Sequence, residues 1–353
     1  MNTSVNIISI KAEIRERLLA WYDDHQRTLP WRARHGQTPN PYHVYLSEVM
    51  LQQTTVATVK AYFERFINKW PRLENLAAAS LDEILVEWQG LGYYSRARNL
   101  HKAANFLSRM LPFPQIPEDL IVLPGVGDYT AAAVSSIAFD YPIIPVDGNI
   151  MRVFARVFTV PISLPKLKDE ITKIAESIAC KNRSGDFAQA LMDLGATLCK
   201  PKDPQCTMCP LKTVCKAYQI ERVSDFPKLK LKTEKPIRYG TAFVLIHEDK
   251  ILFERRPEKG LLGGMAGLPT TPWEQNPLSE IAAFEPENGV EWETLPKAIK
   301  HTFTHFHLYL SIKISISKRP PKGLWIASDA METIALPTVM KKVIKEIPGF
   351  FKT

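Results

Sequence analysis

The sequence predicts two domains: an all-α domain that ends in a cysteine-rich loop, and a smaller α+β domain after it. Three observations support this prediction. Apolar residues recur at helical spacing up to about residue 222, four of the five cysteines fall between Cys199 and Cys215, and strand-like alternation begins after Tyr239. A length of 353 residues agrees with two domains, because single cores rarely grow beyond about 250–300 residues.

The composition is that of an ordinary globular chain with a basic balance. Hydrophobic residues make up 45% and charged residues 23%, and no apolar run reaches the ~20 residues that cross a bilayer. The first ten residues lack the basic and apolar regions of a secretory signal, so we expect a cytoplasmic protein without membrane contact. We also expect it to be a monomer. The net charge of +8 favours a polyanionic partner such as nucleic acid.

A series of helices is predicted for the first domain. Ile7–Arg27 places Ile14 and Leu18 on one face, and Tyr42–Gln53 starts directly after Pro41. The remaining helices are predicted at Val56–Lys69, Leu81–Gln89, Tyr94–Met110, Pro117–Leu123, Gly127–Phe139, Asn149–Phe158, Lys168–Ala179 and Gly185–Leu198.

Strands dominate the prediction for the second domain. Residues 227–238 alternate lysines with two prolines, which indicates an extended linker that acts as a tether and can also contact DNA. Thr241–Ile246 and Lys250–Glu254 form a predicted hairpin, and Phe303–Ser317 is predicted to be β-rich. Short helices are predicted at Ser279–Phe284 and Pro337–Lys345. The predicted domain boundaries are therefore 1–226, 227–238 and 239–353.

The cysteine-rich loop is a candidate metal centre. Cys206 and Cys209 form a Cys-x-x-Cys pair, and Cys199 and Cys215 flank it on either side. Four thiolates can hold zinc or an iron–sulfur cluster. Zinc ribbons usually pair two Cys-x-x-Cys hairpins, so a single one favours a cluster. Disulfides are the alternative, but the chain has no secretory signal and is large enough to fold without them.

A glycine motif between two predicted helices is a candidate anion site. In Leu-Pro-Gly-Val-Gly, Gly125 and Gly127 allow a tight turn and a close backbone approach to another molecule. The next helix starts near Gly127, where free N–H groups and the helix dipole attract a phosphate. The motif is not a dinucleotide fingerprint, because a helix rather than a strand precedes it.

Two carboxylates are candidates for acid–base chemistry. Asp147 precedes an apolar helix, where its usual role is a helix N-cap, and an ionised Asp there can also stabilise a developing cation. Glu48 lies among Val44, Tyr45 and Val49, an apolar context that raises a carboxyl pKa and suits a general acid. The alternative for Glu48 is a solvent-facing helix residue.

Together, these motifs resemble the all-α helix-hairpin-helix DNA glycosylases that carry a single 4Fe-4S cluster. The α+β domain that follows resembles a Nudix-like domain. Endonuclease III-like members have a lysine nucleophile two residues after the second glycine. Here that position is Tyr129, and the chain is similar to MutY-type adenine DNA glycosylases. The resemblance implies a monofunctional enzyme that removes adenine mispaired with 8-oxoguanine or guanine in double-stranded DNA.

The resemblance also implies roles for individual residues. It makes Glu48 the general acid and Asp147 the stabiliser of the sugar cation, assisted by Tyr129 and Asn149. The expected cluster ligands are Cys199, Cys206, Cys209 and Cys215, and the expected base pocket includes Trp31 and Arg32. The expected DNA contacts are Gly125, Gly127, Gln53, Thr54, Leu91, Tyr93, Phe303, Thr304 and His305, with Thr304 standing where the family has serine.

Three other functions stay open at this point. The first is an endonuclease III-like lyase for oxidised pyrimidines, which Tyr129 disfavours because a tyrosine forms no Schiff base. The second is a non-catalytic or redox-sensing cluster protein that binds DNA. The third is a nucleotide hydrolase in residues 239–353, which the missing glutamate-rich magnesium helix of Nudix hydrolases disfavours.

Overall fold

A computed structural model provides the structure of the protein. It describes residues 3–33, 36–110, 112–228, 234–257, 260–279 and 281–348. The packing divides the chain into two compact units, one formed by residues 1–78 with 102–231 and the other by residues 79–101 with 232–353. Residues 79–101 thus group with the C-terminal part of the chain, whereas the sequence-based boundaries remain a prediction.

Helices make up the described chain up to residue 219. They are α1 (Thr3–His25), α2 (Pro41–Leu51), α3 (Val56–Lys69), α4 (Leu73–Ala78), α5 (Leu81–Glu87), α6 (Ser95–Leu107), α7 (Pro117–Leu120), α8 (Asp128–Phe139), α9 (Gly148–Val157), α10 (Lys166–Ile178), α11 (Ser184–Thr197) and α12 (Lys216–Gln219). Every helix predicted for this part is present, with ends that differ by a few residues. The short helices α4 and α12 were not predicted, because six and four residues are too few to show a helical periodicity.

Local capping explains where the site-bearing helices begin. The Asn40 side chain accepts a hydrogen bond from Tyr42 N at 2.9 Å, and Pro41 occupies the first turn of α2. Asp147 caps α9 in the same way. These caps fix where α2 and α9 begin, and the candidate catalytic residues Glu48 and Asp147 lie within α2 and at the start of α9.

Helix α11 runs through the core of the first unit. Its residues from Phe187 to Gly195 are all buried, and it packs against α1, α8 and α9. Phe154, Phe187 and Leu191 are among the buried side chains of this core. A helix buried on all sides is expected to be apolar throughout, so the fully buried Asp193 within it requires a specific partner.

A mixed sheet forms the second unit. Its seven strands among the described residues are β1 (Ile237–His247), β2 (Lys250–Arg255), β3 (Ala266–Gly267), β4 (Glu293–Thr294), β5 (Ile299–Thr302), β6 (His307–Ile316) and β7 (Leu324–Ala327), followed by α13 (Thr338–Lys345). The order is β3-β2-β1-β6-β4, with β5 beside β6 and β7 beside β2. Strands β1 and β6 are parallel, whereas β1 and β2 form the predicted antiparallel hairpin.

Two predictions for this unit need correction. The β-rich stretch Phe303–Ser317 begins as a loop, because Phe303 N donates to Phe306 O at 2.9 Å and closes a turn before β6. The helix predicted at Ser279–Phe284 is only a 3₁₀ turn at Ala282–Phe284 in the described chain. The linker boundaries 227–238 remain a prediction; β1 already starts at Ile237, and residues 229–233 lie outside the described residues.

None of the described helices combines sufficient length with sufficient apolar character to span a membrane.

Candidate active site

One cavity of about 290 Å³ in the first unit brings the predicted catalytic side chains together. They reach it from three helices: Glu48 from the middle of α2, Tyr129 from the first turn of α8, and Asp147 from the start of α9. The sequence-predicted residues that line this cavity are Glu48, Tyr129, Asp147, Asn149, Trp31, Arg32 and Thr54.

Glu48 is a buried carboxyl whose raised pKa suits acid–base chemistry. Only 5% of it is exposed, so the alternative of a solvent-facing glutamate is wrong. Burial raises its pKa to about 7; the charge of Asp147 adds to the increase, and the Tyr129 hydrogen bond and the Arg32 cation oppose it. Its Oε2 atom accepts no hydrogen bond from any described residue. A carboxyl with such a pKa carries a transferable proton near neutral pH.

Tyr129 is the hydrogen-bond partner of Glu48. Burial raises the pKa of its phenol well above the ordinary value, and the charges of Glu48 and Asp147 act in the same direction. The hydroxyl therefore stays protonated and remains available as a donor to the Glu48 carboxyl.

Asp147 is held by donors on both of its oxygens. Oδ1 accepts from Ile150 N at 2.7 Å as the N-cap of α9, and Oδ2 accepts from Asn149 Nδ2 at 2.9 Å. Burial raises its pKa, while these hydrogen bonds and the Arg152 cation oppose that increase. Because both oxygens accept from N–H groups, the arrangement suits a carboxylate.

Asn149 connects the cavity to the cysteine loop. Its Oδ1 accepts from Arg152 Nη2 at 2.8 Å, and Arg152 Nε donates to Cys199 O at 2.7 Å. Gly195 on α11 leaves room for this arrangement, because a Cβ atom there would lie 2.6 Å from Asn149 Cβ. Arg152 Nη2 also donates to Gly195 O at 2.7 Å. The position of Asn149 therefore depends on α11 as well as on its own helix.

The four cysteines of the loop line a second cavity in the first unit. Arg156 Nη1 donates to Cys199 Sγ at 3.3 Å and to Lys200 O at 2.8 Å. Burial raises the pKa of Cys209 to about 12, helped by the other three thiols, so a metal that binds here must displace protons. In the described ranges, no group of three or more His, Cys, Asp or Glu side chains is arranged to hold a metal ion.

The glycine motif forms an exposed turn before α8. Gly125 has a φ of 78°, a left-handed conformation that favours glycine, whereas Gly127 has a φ of −107° and is the N-cap of α8. No side chain caps α8, so backbone N–H groups of its first turn are free of a capping hydrogen bond. The anion site at this turn stays a prediction.

Two predicted DNA-wedging residues have strained backbones. Gln53 has a φ of 59° and Tyr93 a φ of 47°, and both side chains are exposed. Left-handed non-glycine residues are uncommon and cluster at functional sites. Leu91 is only 5% exposed in the free protein, and its contact with DNA stays a prediction.

The loop before β6 lies beside residues 92–98 within the second unit. Tyr93 and Thr304 are joined by a hydrogen bond between their hydroxyl groups. Both residues, together with Phe303 and His305, line a cavity of about 360 Å³. Phe303 stacks on Phe306 with 4.8 Å between ring centroids, and this contact stabilises the loop.

The sequence did not predict roles for Arg27, Gln189 or Asp193. Arg27 and Gln189 line the first cavity, and Asp193 lies behind its wall, where it binds both Arg27 and Arg32. Arg27 belongs to no sequence motif that would have indicated its role. Asp193, however, is a charged residue in the apolar stretch of α11, and such a residue is a sequence signal for a buried ion pair.

Models of two known protein families match the two parts of the chain. A family model described as HhH-GPD superfamily base excision DNA repair protein matches residues 46–179, and a NUDIX domain model matches residues 241–346. The adenine DNA glycosylase of Mus musculus is 34% identical over 94% of this chain and 77% of its own length. That of Buchnera aphidicola subsp. Baizongia pistaciae is 34% identical over 95% and 97%.

The chain belongs to the adenine DNA glycosylase family. Membership makes it an enzyme of base excision DNA repair, with a helical glycosylase domain followed by a Nudix-like domain. The adenine DNA glycosylase of Schizosaccharomyces pombe is 38% identical over 85% of this chain and 79% of its own length.

Solved structures resemble the helical part of this chain. A thermostable thymine-DNA glycosylase superposes with a TM-score of 0.52 and 27% identity, covering 60% of this chain and 98% of that one. An endonuclease III in a non-covalent DNA complex superposes with a TM-score of 0.50 and 27% identity, covering 60% and 97%.

Proposed function

We propose that this chain hydrolyses the N-glycosidic bond of adenine mispaired with 8-oxoguanine or guanine, without lyase activity. One observation carries the proposal: a single cavity contains a protonatable carboxyl, Glu48, and a carboxylate held by N–H donors, Asp147. Tyr129 stands at the position where a lyase of the same superfamily has its lysine, and it provides no amine for a Schiff base.

The reaction needs a base flipped out of the duplex, because C1′ cannot be reached inside the stack. With adenine in the cavity, Glu48 donates its proton to N7. The C1′–N9 bond then breaks, and its electron pair remains on N9 of the departing adenine. Positive charge develops on the sugar and is stabilised by the Asp147 carboxylate. Water adds to C1′ and gives its proton to one of the two carboxylates.

The environments of the two carboxyl groups support this division of roles. Glu48 is buried and its Oε2 accepts no hydrogen bond from a described residue, which favours the protonated form. Asp147 accepts hydrogen bonds on both oxygens, which favours the charged form. Such a pair, with one acid kept neutral and one kept charged, is the arrangement used in glycoside hydrolysis.

Recognition of the opposite base is proposed for the loop that contains Phe303, Thr304 and His305. The hydrogen bond between Tyr93 and Thr304 and the stacked Phe303 support a preformed loop. The Thr304 hydroxyl can donate to or accept from the base edge, as the family's serine can. We propose that Gln53 and Tyr93 enter the duplex, where an inserted side chain lowers the cost of unstacking.

A 4Fe-4S cluster is proposed for the cysteine loop. The four thiols that line one cavity fit the thiolate set that such a cluster requires, with Cys199, Cys206, Cys209 and Cys215 as ligands. The cluster would hold the loop together beside Arg156, and the hydrolysis itself moves no electrons. Iron and acid-labile sulfide in equal amounts, with visible absorption lost in Cys199→Ser, are the expected findings.

Single-turnover assays test the proposed function. Duplexes with adenine opposite 8-oxoguanine and opposite guanine should be cleaved, and a thymine-glycol duplex should not. Borohydride should trap no covalent adduct of the kind that a lyase forms. Asp147→Asn should bind the mispair with near wild-type affinity and excise no adenine. Excision by Asp147→Asn at the wild-type rate would remove Asp147 from the mechanism.

A further inference from the structure

Asp193 is a fully buried carboxylate that the proposed mechanism does not use. It lies on α11 and has no exposed side-chain surface. Arg32 binds it with both ends of the guanidinium, from Nη1 to Oδ2 at 2.6 Å and from Nη2 to Oδ1 at 2.7 Å. Arg27 adds two more bonds, from Nε at 2.5 Å and from its backbone N at 3.0 Å. Asp193 therefore accepts four hydrogen bonds from two cationic residues.

Both arginines lie in the wall of the cavity that contains Glu48. The Arg32 side chain is 7% exposed and that of Arg27 is 26% exposed. Burying a guanidinium is costly unless an anion compensates it, and a bidentate carboxylate also fixes the plane of the group. Among the described residues no group accepts from the two Nη atoms of Arg27, so these donors remain available to a molecule in the cavity.

We propose that Asp193 is a positioning residue of the glycosylase reaction: it fixes Arg27 and Arg32 against the flipped base and neutralises the Arg32 charge beside Glu48. The inference rests on the proposed function of the cavity and adds a residue that does not touch the base. It assigns the geometry of the base pocket to a carboxylate on α11, behind the pocket wall.

The pKa of Glu48, measured as the alkaline limb of the pH–rate profile, distinguishes a positioning residue from one that only stabilises the fold. The charged and titratable groups that face Glu48 are Arg32, Tyr129 on α8 and Asp147 at the start of α9. The Arg32 cation lowers the pKa of Glu48, and Asp193 compensates that cation. Removing only Asp193 should therefore lower the pKa of Glu48 further, whereas removing Arg32 as well should raise it.

Asp193→Asn tests the proposal in the full-length chain. Single-turnover excision of adenine opposite 8-oxoguanine is measured from pH 5.5 to pH 9 for this variant. We expect a rate constant reduced on the order of 10- to 100-fold, because the base is misplaced, and an alkaline limb moved to lower pH. Affinity for a duplex with a non-hydrolysable 2′-fluoro adenosine should change by no more than about twofold, since phosphate contacts supply most of that affinity.

A double variant, Asp193→Asn with Arg32→Gln, guards against a folding defect of the single variant. It removes the buried Arg32 cation together with Asp193 and leaves only the partly exposed Arg27 without its carboxylate partner, so it should fold, and its alkaline limb should move to higher pH than in the wild type. The matched control is Asp186→Asn, which removes another α11 carboxylate that pairs with an arginine, Arg183, at 2.8 Å. This control should keep the wild-type rate and profile.

The outcomes separate the two proposals. If the wild type does not excise adenine, the proposed function fails. If the wild type excises adenine but Asp193→Asn matches its rate and profile, only the role of Asp193 is overturned. A slower rate with the alkaline limb unmoved in both variants also overturns it, because that result describes a structural residue. Should the single variant fail to fold, the direction of the limb in the double variant decides.

Discussion

At the scale of single residues, the burial of the Glu48 side chain determines the pKa on which its proposed role as general acid depends. Its pKa is raised to about 7 because the carboxyl is buried, and the general acid must hold its proton to act. The excision rate should therefore be constant below about pH 7 and fall about tenfold per unit above it. Single-turnover rates across this range give the measurement.

Glu48→Gln is the control for this pH dependence. It keeps the shape of the side chain but has no proton to transfer, so it should be strongly impaired and show no limb near pH 7. A limb that persists in Glu48→Gln would assign the titration to another group.

The raised pKa of Glu48 also affects the free energy of unfolding. The stability contributed by the bound proton is present below the ordinary pKa of 4.5 and is lost as the pH rises through about 7.

Gly195 provides a second residue-scale prediction. A Cβ atom there would lie 2.6 Å from Asn149 Cβ, so Gly195→Ala must displace Asn149 and, through it, Asp147. We expect the excision rate to fall on the order of 10- to 100-fold, as is usual for misplacement near a reacting centre. The rate constant and the burst amplitude should be measured together, since only the amplitude follows the fraction of folded enzyme.

Gly185→Ala is the matched control on the same helix. Its Cβ atom would meet Ser136 O at 2.7 Å and Ile137 Cα at 3.0 Å, a comparable clash whose nearest atom belongs to a residue that does not line the cavity. It should lower the melting temperature while leaving the rate constant of the folded enzyme unchanged. Equal loss of rate in both variants would indicate a general packing effect.

At the scale of elements, the sequence predicted the helices that carry the site better than the contacts between them. Periodicity and capping residues are local signals, so α2, α8 and α9 could be predicted with Glu48, Tyr129 and Asp147 in or beside them. The left-handed backbone of Gln53 and Tyr93 and the burial of Leu91 depend on tertiary packing, which no local pattern encodes.

The role of α11 shows the same limit. The sequence predicted a helix at Gly185–Leu198, but not that Asp193 would meet arginines 161 and 166 residues earlier in the chain. A buried charge in an apolar helix indicates that a partner exists, and only the fold identifies it.

The turn before α8 supports a prediction about DNA binding. Gly125→Ala places a side chain in a left-handed conformation, which costs about 1–2 kcal/mol, so the melting temperature should fall. Gly127 has an ordinary φ, and a Cβ atom there meets nothing within 4 Å, so Gly127→Ala should fold like the wild type. Its methyl group should nevertheless hinder a phosphate at the α8 N-terminus.

Thermal unfolding and duplex binding measured side by side test this pair. The expected pattern is a lower melting temperature for Gly125→Ala, and reduced affinity at an unchanged melting temperature for Gly127→Ala. If Gly127→Ala bound a mispaired duplex as tightly as the wild type, the phosphate would have to lie elsewhere.

At the scale of the whole molecule, the compact units do not coincide with the order of the chain. Residues 79–101 group with residues 232–353 and make specific contacts there. Gln89 Nε2 donates to Ile334 O at 2.7 Å, and Arg255 pairs with Asp82 at 3.1 Å. The hydrogen bond between Tyr93 and Thr304 belongs to the same set. The C-terminal part of the chain thus supports a segment that bears a proposed DNA contact.

A chain that ends at Lys228 should therefore lose more than its Nudix-like domain. We expect faster amide hydrogen exchange in residues 81–101 and a reduced preference for 8-oxoguanine over guanine opposite adenine, because Tyr93 loses its partner. Full-length Asp82→Asn is the control: it breaks only an exposed ion pair, which contributes about 0–1 kcal/mol. It should match the wild type in both measurements. Unchanged exchange and preference in the shortened chain would mean that residues 79–101 hold their conformation without the sheet.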